Sequence, residues 1–168
     1  MAGESAGTFR RLAAATYDGL LLLAVLMLVT ALLQVFTHGE AITRASVGRY
    51  EYAYCALLLA CVAGFYVPAW TRRGQTLGMK AWNIRLETVA GALATPSRAL
   101  LRLAIAAPLY VLAITGVLVM IAHRGGPLML IACLAPVSAS FAWHALTGAG
   151  TLDDRLSGTR VSRVAPAR

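Results

Sequence analysis

The most informative part of the sequence is an uninterrupted apolar run, which reads GLLLLAVLMLVTALLQVF from Gly19 to Phe36. These 18 residues include no charged side chain, and extending the run back to Leu12 adds only one, Asp18. A helix needs roughly 20 mostly apolar residues to cross about 30 Å of hydrocarbon. The run therefore predicts a membrane-spanning helix over about residues 12–36.

Three further charge-free runs of similar length follow, and they predict spans over about residues 52–71, 103–122 and 127–147. The chain is 59% hydrophobic and only 13% charged, whereas soluble domains carry about a quarter charged residues. Four spans leave no room for a separate soluble domain. We therefore predict an all-α membrane protein with four transmembrane helices, formed by residues 1–168 as one domain.

The 15 basic residues are divided unequally between the two sides of these spans. Twelve fall on the side of both termini, and three fall on the other side: Arg44, Arg49 and Arg124. Basic loop residues stay in the cytoplasm during insertion, so we predict that both termini are cytoplasmic. The same charge predicts attraction to anionic lipid head groups. No nucleic-acid motif accompanies it, which argues against nucleic acid as a partner.

The predicted cytoplasmic loop, residues 72–102, begins with a helix signal. Thr76 is suited to accept a hydrogen bond from the first turn of a short helix. The mixture of apolar and basic residues that follows it, including Trp82, is typical of an amphipathic segment at a membrane interface. We expect a short interfacial helix here.

Two short segments alternate between apolar and polar residues. One covers residues 84–89 of the loop, and the other covers residues 159–164 of the predicted C-terminal tail, residues 151–168. A period of two is typical of a half-buried strand. We predict that the two segments pair as a small cytoplasmic β-ribbon, which would have to rest on the helix ends because two strands alone are marginally stable in water.

Asp18 is the one acidic residue inside a predicted span. A charge at the bilayer centre costs roughly 2.5 to 3.5 kcal/mol on insertion scales, so this carboxylate needs a partner. Arg11 lies two turns earlier on the same helix, about 10 Å along its axis, which is too far for direct contact. We expect a third group between the two, for which the candidates are Asp154, Arg155 and Arg102.

Three segments occur in an informative order. They read RLAAATYDGLLL from Arg11, GQTLGMK from Gly74 with IRL a few residues later, and DRLSGTRV from Asp154. Together they resemble the motifs of the RDD family, which is named for one arginine and two aspartates. The resemblance assigns these three positions to Arg11, Asp18 and Asp154.

The sequence departs from the family pattern at two places. Met79 and Lys80 stand where a basic pair is usual, and Asp153 stands where histidine is common. Neither change touches the three named positions. The resemblance implies a multi-pass protein of the bacterial cytoplasmic membrane with a role in transport, without naming a substrate. We count Lys80 and His144 as further contributors, since a histidine beside a carboxylate can relay protons.

The sequence leaves two functions open. In the first, the protein moves an ion or small solute, as a homo-oligomer. In the second, it is a scaffold or accessory subunit that docks a membrane partner through its basic loop. The charged triplet fits either, since such a cluster can also serve only to lock helix and tail together. No phosphate-binding glycine loop, metal-spaced Cys/His cluster or H-E-x-x-H motif is present, so we expect no enzyme, metal or cofactor.

Overall fold

The structure is a computed structural model that describes residues 5–36 and 47–164. Most of these residues are in helices. Part of the connection between the first two spans and the last four residues of the predicted tail lie outside these ranges. The helices are α1 (Thr8–Phe36), α2 (Val47–Pro68, continued by a π-helical turn, Ala69–Arg73), α3 (Leu77–Ala81), α4 (Pro96–Ile121), α5 (Pro127–Thr147) and α6 (Leu152–Ser157). The strands are β1 (Ile84–Thr88) and β2 (Thr159–Arg163).

Within the described residues, four helices are long and apolar enough to cross a membrane, which agrees with the number predicted from the sequence. They cover Thr8–Phe36, Tyr52–Arg73, Pro96–Ile121 and Pro127–Thr147. Only 0 to 11% of the most apolar part of each is buried within the chain. Because the helices bury so little of each other, most of their apolar surface is left for lipid or for other protein chains.

The third long helix starts earlier than expected. We predicted a span from residue 103, whereas α4 begins at Pro96, preceded by Thr95 in an extended conformation. Proline is favoured in the first turn of a helix, where its missing N–H would have no partner. The additional turns carry Arg102 on the helix rather than on a loop.

The buried apolar core lies at one end of the long helices, in what we call the basal layer. This layer consists of α3, β1, α6 and β2 with the adjoining ends of α1, α2 and α4. Leu86 and Ile84 of β1 are almost fully buried and pack with Val161 of β2 and with Trp70. The short elements therefore form a compact cap on the helix ends rather than loose connections.

The two short strands pair in antiparallel fashion, with Leu86 opposite Val161. The N-terminal segment adds to the other edge of β2, because Ser5 bridges Ser162 and the amide of Ala6 donates to the carbonyl of Val161 at 3.0 Å. Both ends of the described chain therefore lie in the basal layer.

The capping role predicted for Thr76 is confirmed. Its hydroxyl accepts a hydrogen bond from the amide of Met79 at 3.2 Å, at the start of α3. Trp82 follows the last helical residue instead of lying inside the helix. The loop is thus ordered by a short capped helix that leads directly into β1.

Candidate functional site

One face of α1 brings polar residues into the basal layer. Arg11, Ala14 and Asp18 are the buried residues of this helix. Residues three and four apart lie on the same side of a helix, so these three form one stripe. No residue of α1 after Asp18 is buried. The helix therefore separates into a basal part with buried side chains and an apolar part whose side chains are half-buried or exposed.

The carboxylate of Asp154 lies between two arginines from different helices. Its Oδ2 accepts a hydrogen bond from Nη1 of Arg11, and its Oδ1 accepts one from Nη1 of Arg102. Nη2 of Arg102 also lies 2.6 Å from Oδ2 of Asp153. We call these four residues the ion cluster. Its two positive and two negative charges balance, which a buried group of charges requires.

The ion cluster is well shielded from solvent. Asp154 is 1% exposed, and Arg11 and Arg102 are each 6% exposed. Burial raises the pKa of the Asp154 carboxyl, but the charges of Arg102 and Arg11 outweigh this effect and hold the pKa below its ordinary value of 3.8. The carboxylate is therefore ionised at neutral pH, and its contribution to stability is lost only as the pH falls through the lowered pKa.

Arg11 uses all three of its guanidinium nitrogens. Besides its bond to Asp154, its Nε donates to the carbonyl of Ala6 at 3.0 Å and its Nη2 donates to the carbonyl of Val161 at 3.1 Å. One side chain of α1 thus holds the N-terminal segment, α6 and β2. Its planar fork of donors is suited to this task, which a lysine could not perform in the same way.

The local sequence around Asp154 orients its carboxylate. Thr151 and Asp154 form a capping box at the start of α6, in which the amide of Thr151 donates to Oδ2 of Asp154 at 3.3 Å. Gly150 precedes this box with a φ of +87°, a conformation that glycine adopts at little cost. The cap places the carboxylate toward the two arginines.

Arg102 is held on several sides. Its Nη1 also donates to the hydroxyl of Thr159 at 2.9 Å, and its guanidinium carbon lies 5.6 Å from the ring centre of Trp70. A guanidinium over an aromatic face is attracted by the negative charge of the ring surface. Arg102 therefore joins α4 to the tail and to the end of α2.

Asp18 lies in a second cluster, which we call the aspartate cap and define as Asp18, Thr76 and Gly78. The Oδ1 of Asp18 accepts from the amide of Gly78 at 2.8 Å, and its Oδ2 accepts from the hydroxyl of Thr76. A Cβ atom on Gly78 would overlap the carbonyl oxygen of Ala14 and lie 2.9 Å from the Asp18 carboxyl group. Only glycine allows α3 to approach α1 this closely.

We expected Arg11, Asp18 and Asp154 to form one cluster. In the structure, their hydrogen bonds belong to two different clusters. Arg11 and Asp154 form an ion pair, but within the described ranges no hydrogen bond or ion pair connects Asp18 to either of them. Asp18 lies two helical turns beyond Arg11, and at that height α1 meets α3 instead of the tail. Among the described residues, no hydrogen bond or ion pair supplies the third group that we expected between Arg11 and Asp18, and Arg102 completes the environment of Asp154.

The other candidate residues lie at the edges of these clusters. Arg155 is exposed, with its guanidinium carbon 5.6 Å from the ring centre of Trp143. Lys80 is exposed in the last turn of α3. His144 is 4% exposed, and its Nε2 lies 3.1 Å from the carbonyl oxygen of Ala6. Its Nδ1 has no hydrogen-bond partner among the described residues.

Three residues of the clusters were not among our candidates. Asp153 was noted only as a departure from the family pattern, yet it neutralises Arg102. Thr76 was identified as a helix cap and Gly78 as part of a motif, but not as partners of Asp18. The adjacent acidic pair Asp153–Asp154 was a usable signal, since two arginines were already candidates nearby. No sequence signal shows that α3 docks against α1.

These features define a class of protein. Four helices able to cross a membrane, capped at one end by a buried polar layer, are those of a multi-pass helical membrane protein. The chain belongs to the RDD family, whose model matches residues 5–158, nearly the whole chain. This range includes Arg11, Asp18 and Asp154. A comparison with curated proteins finds no match.

The ion cluster predicts a strong energetic coupling between Arg11 and Asp154. Asp154→Asn should lower the free energy of unfolding in detergent by about 3–5 kcal/mol, because it leaves the buried Arg11 without a carboxylate partner and Arg102 with Asp153 alone. Arg11→Gln should cost less, since Arg102 still pairs with Asp154, and the double variant should lose less than the sum of the two. Denaturant titrations followed by tryptophan fluorescence measure these differences.

A matched control is the pair Glu87 and Arg160, whose charged atoms are 3.6 Å apart and whose side chains are 15% and 30% exposed. The same cycle with Glu87→Gln and Arg160→Gln should give a coupling of at most about 1 kcal/mol. Additive losses for Arg11 and Asp154 would contradict the buried network.

Proposed function

We propose that the protein moves a small cation, a proton or a monovalent metal ion, and that Asp18 is the group that binds it. The observation that carries this proposal is the environment of Asp18. It is 2% exposed, and within the described chain its hydrogen-bond donors, Thr76 and Gly78, are uncharged. By contrast, Asp153, Asp154 and Glu87 each pair with an arginine. An ionisable residue in a membrane helix without a counter-charge is a candidate for ion or proton binding.

The hydrogen bonds of the aspartate cap are compatible with a change of protonation. The hydroxyl of Thr76 donates to Asp18 and accepts from the amide of Met79. A hydroxyl has one donor and two acceptor lone pairs, so it can accept from a protonated Asp18 while keeping its bond to Met79. Asp18 can therefore gain or lose a proton without rearrangement of α3.

The position of Asp18 favours a pathway between copies of the chain. Asp18 directly precedes the charge-free run Gly19–Phe36, whose 18 residues in a helix extend for about 27 Å. A single copy buries little of its spans and so encloses little space for an ion. We therefore propose that the transporting form is a homo-oligomer.

We place the protein in the bacterial cytoplasmic membrane with both termini and the basal layer on the cytoplasmic side. The support is the distribution of the basic residues, twelve against three, together with the tendency of basic loops to remain inside. The contact between the N-terminal segment and β2 requires both to be on one side, which agrees with an even number of spans.

A second candidate function is docking of a membrane partner that carries an acidic surface. The observation that favours it is the charge of the basal layer. The acidic residues that the structure describes there are buried or half-buried. The exposed basic residues that the structure describes in this layer are Arg72, Arg73, Lys80, Arg85, Arg98, Arg155 and Arg163.

Removal of the Asp18 carboxylate should abolish cation flux. In proteoliposomes tested with protons, sodium and potassium, Asp18→Asn should reduce the flux to the level of empty liposomes. Asparagine can still accept from the amide of Gly78, and its own amide can donate to Thr76, so the fold should persist. Glu87→Gln is the matched control and should transport like the wild type. Equal flux of wild type and Asp18→Asn, at unchanged unfolding temperature, would exclude Asp18 as the carrier.

Cysteine labelling can test which side of the membrane carries the basal layer. In a chain whose three cysteines are replaced by alanine, single cysteines are introduced at Ser97, in the basal layer, and at Ala122, at the opposite end; both positions are exposed. A membrane-impermeant maleimide should label Ala122→Cys in intact spheroplasts and Ser97→Cys only after lysis. The reverse pattern would overturn the orientation.

A further prediction concerns the docking alternative. If a partner binds there, replacing Arg72, Arg73 and Lys80 together with glutamine should abolish its co-purification. The matched control removes the same charge from Arg85, Arg98 and Arg163 and should retain the partner. Equal loss with both triplets would indicate general charge attraction and count against a docking site.

A further inference from the structure

A cavity of about 430 Å³ opens on the basal layer beside the ion cluster. Its lining includes the turn between α5 and α6, parts of α6 and β2, and Ser5. Arg11 and Asp154 also line it, but they neutralise each other. The other charged side chains in the lining are Arg155 and Arg160, so the cavity has an excess of positive charge.

Arg155 and Arg160 both have N–H groups that are available to bind a ligand. Arg155 forms no salt bridge within the described ranges and is exposed above the ring of Trp143. The Nε of Arg160 is buried and has no hydrogen-bond partner there, while its Nη2 is 3.6 Å from Oε1 of Glu87, a long and partly solvated ion pair. A guanidinium carries five N–H donors in a fork that matches phosphate or carboxylate oxygens. The cavity is thus suited to an oxygen-rich anion.

Helix α6, which contributes Asp154 and Arg155 to the cavity lining, also exposes two apolar side chains. Leu152 and Leu156 of α6 are 45% and 58% exposed, and residues four apart lie on the same side of a helix. Trp143, which is half exposed, lies near the end of the spanning helix α5. Tryptophan is enriched where hydrocarbon meets water in membranes. Since Arg155 lines the cavity and lies over the ring of Trp143, we expect the cavity and this end of α6 at the depth of the lipid head groups.

We propose that this cavity binds the phosphate group of an anionic phospholipid, with Arg155 and Arg160 as the donors. Leu152 and Leu156 would then lie against the first part of the acyl chains. A soluble phosphate could use the same donors but would leave both leucines uncovered, which favours lipid as the source of the phosphate. This site is independent of Asp18 and of the proposed cation movement.

The test is native mass spectrometry of the protein in a neutral detergent, titrated with phosphatidylglycerol, with phosphatidylcholine, and with inorganic phosphate as a competitor. The variant Arg155→Gln/Arg160→Gln should bind phosphatidylglycerol at least about tenfold more weakly, as expected for lost hydrogen bonds to a charged group. The matched control Arg72→Gln/Arg73→Gln removes the same charge from exposed residues outside the cavity and should bind like the wild type. Arg155→Lys keeps the charge but not the fork, and should be intermediate.

Three results would overturn the proposal. Equal weakening by both double variants would show that the basal layer attracts lipid only through its total charge. Equal affinity for phosphatidylcholine and phosphatidylglycerol, in wild type and variant alike, would show that the cavity does not select an anionic head group. Complete displacement of phosphatidylglycerol by inorganic phosphate would assign the cavity to a soluble anion.

Discussion

The architecture depends on one carboxylate, that of Asp154, which accepts hydrogen bonds from Arg11 of α1 and from Arg102 of α4. Charges taken out of water are stable only when they are paired and their hydrogen bonds are satisfied. This requirement fixes how three separate parts of the chain meet. The first helix, the third spanning helix and the C-terminal tail cannot move apart without leaving a buried charge alone.

This arrangement compensates for the weak packing of the spans themselves. Lipid tails are as apolar as leucine, so hydrophobic burial does not drive helices together inside a bilayer. In this chain the spans bury little of their surface, and the apolar core lies in the basal layer around Leu86, Ile84 and Val161. The ion cluster and this core occupy the same layer. Together they hold the helix ends in register, and the helices beyond remain free to contact lipid or another copy.

The sequence was most informative where a single segment carries the signal. Charge-free runs predicted the four spans, the alternation at residues 84–89 and 159–164 predicted the paired strands, and Thr76 predicted the start of α3. The early start of α4 was missed because hydropathy marks the apolar part of a helix and not its capped end at Pro96. The extent of a helix and the extent of its membrane-embedded part are different quantities.

The candidate site could be predicted only in part, for a related reason. Arg11, Arg102 and Asp154 were identified because they are charged and near predicted helix ends. Which of them meet depends on how α3 and α6 dock against α1, and docking is a property of packed surfaces. The decisive feature at α3 is the absence of a side chain at Gly78, which no charge or periodicity pattern reveals. The partners of Asp18 in the structure, Thr76 and Gly78, were therefore not predicted.

The separation of Asp18 from Asp154 has a chemical consequence. Asp154 faces two cations that lower its pKa, so a proton or metal ion would have to compete with fixed positive charge. The hydrogen-bond donors to Asp18 in the described residues are neutral, so a cation that reaches its carboxylate need not displace a paired arginine. The two buried aspartates of this layer therefore differ in their surroundings: Asp154 holds helices together, and Asp18 is the one that we propose to bind a cation. Because no hydrogen bond or ion pair joins them in the described chain, the proposed binding of a cation at Asp18 would leave the ion pairs of Asp154 in place.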